Sequence, residues 1–181
     1  MTKEQSDRKK KYDIILLGLL ILGIICGVLD VIIYGFTIIP TWIVLLIYFT
    51  TGIVSTIFFK RFYEWVDGKA HILLHLIANL LIWSNIIMFL FLGSNQYIKN
   101  NYFDTIIVKT DNVKVLYGRK RGYKVKFDCV IDGINKTLRF NFEKEELEKY
   151  KQLEKSIKTA ELKINKGLFG LKTIDVIEFK Y

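Results

Sequence analysis

The sequence predicts a membrane protein: three transmembrane α-helices followed by a small α+β domain, either a β-barrel or a rolled antiparallel sheet with one helix. Three observations predict it. Residues 12–93 hold three apolar runs with almost no charge outside one short loop, long enough for a hydrocarbon layer of ~30 Å. A basic arm, residues 1–11, precedes them. After Gly93 the apolar residues change from helical to alternating spacing, the signature of half-buried strands, so residues 94–181 read as a water-facing β-rich domain. The overall 51% hydrophobic and 25% charged content looks globular only because two unlike halves are averaged. Sixteen Lys and three Arg against twelve acids in residues 95–181 put seven of the net +9 charges in the tail.

The first run, Tyr12 to Phe36, is longer than the ~7–15 residues of a secretory signal core and has no A-x-A-like cleavage site, so it is expected to stay as a helix. Ile24 and Ile25 precede Cys26 where lipidation requires a small residue. The second run, Trp42 to Phe59, follows an uncharged link containing Pro40, and the third, Ala70 to Gly93, follows the loop from Lys60 to Lys69. Lys and Arg collect on cytoplasmic ends. Lys3, Arg8, Lys9, Lys10 and Lys11 in the arm, and Lys60, Arg61 and Lys69 in the loop, place both inside. The first link and the tail are then expected outside a bacterial cell (inner) membrane; the bacterial source is read from residue usage alone, one Pro and three Ala beside abundant Ile, Lys, Asn and Tyr.

Residues three, four and seven apart share a helix side, and each run carries one small or polar stripe. Run one has Gly23, Gly27, Asp30 and Tyr34; run two has Tyr48, Thr51, Gly52 and Ser55; run three has His71, His75, Ala78, Ile82 and Asn85, with Asn79 at its flank. Small residues let backbones approach and polar ones bond across helices where lipid offers no partner, so these are packing faces, with Asp30 expected to bond to Asn85. An ionisable group in a membrane also raises a proton or ion role, which ranks second for Asp30. His71 and His75 alone are too few ligands for a haem or catalytic metal. No metal or cofactor is expected.

In the tail, strands are expected at Tyr102–Lys109, Val113–Gly118, Tyr123–Ile131, Ile134–Phe142, Ser156–Ile164 and Thr173–Tyr181, with an amphipathic helix from Glu143 to Lys155. Asp132-Gly133 between Ile131 and Ile134 is the two-residue turn whose twist suits a hairpin. Its register puts Tyr123, Val125, Phe127 and Ile131 on one face with Ile134, Leu138, Phe140 and Phe142, a core. The other face carries Lys124 and Lys126, with Lys126 opposite Arg139, beside the turn Arg119, Lys120 and Arg121. Opposed like charges cost energy, which a bound anion, an acidic neighbour or solvation relieves. A second hairpin turns at Gly167 to Gly170, with a bulge expected between Val176 and Ile177. Asn135-Lys136-Thr137 fits a glycosylation sequon.

Tyr123, Val125, Phe127, Asp132-Gly133, Phe140, the acidic helix with Leu153, and Lys166-Gly167-Leu168-Phe169-Gly170 together resemble the small β-domains of unknown function that follow membrane helices in many bacterial proteins. The resemblance spans Asp104 to Ile174, lacks the glycine often found between the helix and the next strand, and implies a fold without an activity. The tail has no His and one Cys without a base, so nucleophilic and His-based acid–base catalysis lack parts, and no enzyme is expected. The expected function is binding of a protein or envelope component by the exported domain, of an immunity or envelope-assembly type. The alternative is a membrane effector that senses an anion or nucleotide through Arg119, Lys120, Arg121, Lys124, Lys126 and Arg139 and oligomerises through its helices. The expected partners are the lipid bilayer and a protein or a second copy of the chain, not nucleic acid.

Overall fold

A computed structural model describes residues 3–67, 72–118, 122–154 and 156–180. The chain divides into two compact units, Met1–Ile32 with Pro40–Ser94, and Ile33–Ile39 with Asn95–Tyr181.

The first unit is helical. Helix α1 spans Lys3–Phe36, α2 Thr41–Asp67, and α3 Ile72–Asn79, which runs through a π turn at Leu80–Ser84 into α4, Asn85–Tyr97. Three stretches, Lys10–Phe36, Thr41–Arg61 and Leu73–Tyr97, are long and apolar enough to cross a membrane. Ile14, Val31, Leu46, Phe58 and Leu73 point away from the bundle, the reverse of a water-soluble helical protein. Glycines set the close approaches. A Cβ on Gly23 would collide with the Leu81 carbonyl oxygen and the Ile82 backbone, one on Gly27 would press on the Asn85 side chain, and one on Gly52 would meet Leu80 and Ser84. Side chains then bond across helices: Asn79 Nδ2 donates to Thr56 Oγ1 at 3.2 Å, and Ser84 Oγ to the Tyr48 carbonyl at 2.7 Å.

The second unit is two antiparallel sheets. Strands β1 (Thr37–Ile38), β2 (Lys99–Lys109), β6 (Thr159–Gly167) and β7 (Lys172–Lys180) form one in the order β1-β7-β6-β2; β3 (Asp111–Gly118), β4 (Gly122–Ile131) and β5 (Ile134–Phe142) form the other. A 3-10 turn at Lys144–Glu146 leads into the short helix α5, Leu147–Leu153. Val125, Phe127, Ile131 and Leu138 of one sheet share a core with Ala160, Leu162, Ile164 and Ile174 of the other, and Phe179 meets Phe127, Phe140 and Tyr150 in an aromatic cluster.

The hairpin has the expected register, Ile131 opposite Ile134 and Lys126 opposite Arg139. Asp132 and Gly133 carry φ of 50° and 77°, as the tight hairpin turn requires. Four expectations are corrected. Among the described residues the strands do not close into a barrel: β3 is an edge, and its Val115 N–H is taken at 3.1 Å by Glu154 Oε1 instead of another strand. The helix is shorter than Glu143–Lys155, because Glu143 is extended and a 3-10 turn follows. Strand β6 begins three residues late, after the loop in which Ile157 and Lys158 give their carbonyls to Thr110. The bulge is at Asp175, since Lys163 pairs with Val176 but Ile164 with Ile174. One extra residue there lets both Ile174 and Ile177 turn inward.

Gly23 and Gly18 separate packing from helix propensity, since Gly18 has nothing within 4 Å of an added Cβ. Gly23→Leu is expected to cost the detergent-solubilised protein about 1–3 kcal/mol in thermal unfolding by overpacking, and Gly18→Leu nothing. Equal effects would contradict the packing.

Candidate functional site

Alternation along β4 sends Val125, Phe127 and Cys129 into the core and Lys124, Lys126 and Asp128 to the opposite face. Lys126 pairs with Arg139 of β5 on one side and with Lys114 of β3 on the other, so three cations form a row across the sheet. At the usual strand spacing the row spans roughly 10 Å. Lys124, flanked by Leu116 and Asn141, extends the positive face along β4. Two acids lie beside it, Asp128 on β4 and its register partner Asp111 on β3. Asp128 accepts a hydrogen bond from Thr137 Oγ1 at 2.6 Å and one from Asn112 Nδ2 at 3.0 Å. These bonds, the Thr137 one foremost, with the charges of Lys126 and Lys114, hold its carboxyl below the usual range. Two carboxylates against Lys114, Lys124, Lys126 and Arg139 leave a surplus of positive charge. The structure thus brings Lys124, Lys126 and Arg139 together; Arg119, Lys120 and Arg121 lie outside the described residues. Lys114 was missed because its place in the row follows from the β3–β4 pairing, which no tight turn announces.

A second cation is in an unexpected position. Lys136 is paired with Cys129, on the inward side of β5, and is only 6% exposed. Its Nζ donates to the backbone carbonyl of Tyr34 at 3.0 Å and sits 3.8 Å from the Tyr34 ring centroid. Tyr34 belongs to the last turn of α1, whose final carbonyls have no partners within the helix and carry the negative end of its dipole. Burial holds the Lys136 amine below its ordinary value. The signal was in the sequence: a Lys at a position of core parity in Ile134, Lys136, Leu138, Phe140, Phe142. The same surroundings disarm Cys129, whose thiol is pushed up to about 11 by burial and by the neighbouring Asp128 charge.

In the helical unit Gly23 packs against Leu81 and Ile82 of the π turn and Gly27 against Asn85 at the start of α4. Asn79 is buried and bonded to Thr56, a partner missed because Thr56 is one position off the Tyr48–Ser55 stripe. His75 is buried and His71 is outside the described residues. The expected bond between Asp30 and Asn85 is not formed. Asn85 lies against Gly27, one turn short of Asp30, and gives its amide to Leu81 O at 2.8 Å in its own helix, at the π turn. Asp30 is 8% exposed, and neither carboxyl oxygen has a hydrogen-bond partner among the described residues. Among the described residues no three His, Cys, Asp or Glu side chains gather as metal ligands.

No family model, curated protein or solved structure matches the chain.

The Lys136 contact gives a direct test. Lys136→Met keeps the stem and is expected to cost about 1 kcal/mol in unfolding, the net worth of a hydrogen bond offset by relief of desolvation. Combined with Tyr34→Leu in a double-mutant cycle, it should show coupling of about 0.5–2 kcal/mol from the ring contact. Additive effects would contradict the pairing.

Proposed function

We propose that this protein is a non-enzymatic, three-span protein of the cell membrane whose β-domain is a binding module for an acidic protein surface or an anionic envelope polymer. The observation that carries this reading is the row Lys114, Lys126 and Arg139, opposed like charges retained side by side across three strands. A row on an open sheet face suits an extended polyanion or a protein surface better than a small ligand, which binds in concave sites. Electrostatic complementarity of this kind sets association rate and specificity. The eight Lys and Arg of the arm and the second loop support an inside N-terminus, and with three spans an outside β-domain.

A second reading, an anion- or nucleotide-responsive effector that oligomerises through its helices, is supported by a groove of about 520 Å³ on the helical unit. Thr50, Thr51, Ser55 and Phe58 of α2 and Trp83 and Ile87 line it. Small hydroxyl residues beside an open apolar groove are features of helix–helix interfaces in lipid.

The two readings part on sidedness and on the probe. A reporter active only in the cytoplasm, fused after Tyr181, is expected to be silent, and strong activity would favour the effector. Polyglutamate and polyglycerol phosphate are expected to raise the melting temperature of the full chain in detergent. The effect should weaken with salt, as the Debye length falls from ~10 Å at 0.1 M to ~3 Å at 1 M, and Lys126→Glu with Arg139→Glu should abolish it. A shift with ATP alone would overturn the polyanion reading.

A further inference from the structure

The turn between β6 and β7 carries two adjacent large apolar side chains into the open: Leu168 is 49% exposed and Phe169 53%. It is not a free loop. Phe169 N–H donates to Asn95 Oδ1 at 3.1 Å, and Asn95 Nδ2 donates to the Leu171 carbonyl at 3.2 Å. Gly167 is so close that a Cβ there would collide with the Asn95 carbonyl oxygen. Gly170, at φ 72°, turns the chain and bonds its N–H to Gly167 O at 2.9 Å. Asn95 itself is fully buried, belongs to α4, and lies inside the apolar stretch Leu73–Tyr97. The tip of the hairpin is therefore fixed to the last turn of the third span.

That attachment decides what Leu168 and Phe169 meet. At ~1.5 Å per residue, Asn95 is ~3 Å along the axis from the end of the span at Tyr97, so it sits where the helix leaves the hydrocarbon. A tip bonded twice to Asn95 cannot swing away to a partner in solution. Tyr97 and Ile98, exposed beside it, continue the apolar surface. Behind the tip, Lys166 and Lys172 face each other as the closing pair of the hairpin, and Lys172 Nζ donates to Asp132 Oδ2 at 2.7 Å.

We propose that the β6–β7 tip is a membrane-interface anchor, with Leu168 and Phe169 inserted among lipid chains just below the headgroups, at the ~5–10 Å depth of interfacial segments. The proposal rests on the membrane-spanning reading of the helices. It adds a third attachment of the β-domain to the bilayer, after the ends of α1 and α4, and makes the lipid part of the domain's footing.

The test uses the full chain with Cys26→Ala and Cys129→Val, carrying an environment-sensitive NBD label at Phe169→Cys, Ile107→Cys or Ile24→Cys. It is reconstituted in liposomes of phosphatidylcholine and phosphatidylglycerol. Ile107 is exposed far along β2 from the end of the third span, and Ile24 is exposed in the middle of the first span. The Phe169 label is expected to lose fluorescence to a nitroxide near the head of the acyl chain and to resist aqueous iodide, whereas the Ile107 label does the opposite. Iodide quenching at Phe169 equal to that at Ile107, with the Ile24 label still quenched by lipid nitroxide, overturns the anchor alone. An Ile24 label untouched by lipid nitroxide overturns the spanning reading and the anchor with it. On the native cysteines, a benzophenone amino acid in place of Phe169 should yield a lipid adduct on irradiation, and water-quenched product without adduct would also overturn the anchor.

Discussion

The end of the first apolar helix is built into the β-domain, and the arrangement of that domain depends on this. Thr37 and Ile38 leave α1 and pair directly with Thr173 and Lys172 of β7, so the link between the first two helices is a strand of the same sheet that ends the chain. Lys136 closes the joint by placing its ammonium on the Tyr34 carbonyl and ring. Thr37 Oγ1 bonds back to Ile33 O at 3.0 Å, and Thr37, Ile39 and Thr173 are fully buried. A helix that ended freely would leave its last carbonyls to water. Here a lysine from a strand about a hundred residues later takes one of them.

The β5 strand that contributes Lys136 inward contributes Arg139 outward, to the cation row. One strand thus holds the end of α1 and lines the basic face, and β4, in the middle of the three-stranded sheet, is paired on both sides. Asp128 has a related role. Fixed by Thr137 and Asn112, it tempers the row without neutralising it, so the face keeps its charge while the strands tolerate being paired.

Much of this was legible in the sequence because it is local. Run length and charge distribution revealed three helices, Asp132-Gly133 fixed one hairpin to the residue, and from that hairpin followed the inward set around Phe127 and the opposed Lys126 and Arg139. What was not legible depends on contacts distant in the chain. A two-residue strand between helices has no periodicity of its own. Lys136 read as part of a sequon because nothing nearby says that the inward side of β5 ends at a helix terminus. Asn85 was matched to Asp30 by depth, but the π turn changes the register of α4 and offers it a carbonyl closer to home. The parity slip in β7 was visible, yet only the pairing with β6 places the extra residue at Asp175.

The central claim is that the first inter-helix link and the tail share one sheet, which requires both to lie on the same side of a membrane. Ile38 and Lys172 are register partners across β1 and β7, and neighbouring strands bring paired Cα atoms within disulfide reach. The most direct measurement is oxidative cross-linking of Ile38→Cys with Lys172→Cys in the full chain in membranes, read by mass spectrometry after blocking free thiols. An intramolecular disulfide between these two positions is the predicted result; two persistently free thiols, labelled from opposite faces of the membrane, would contradict it.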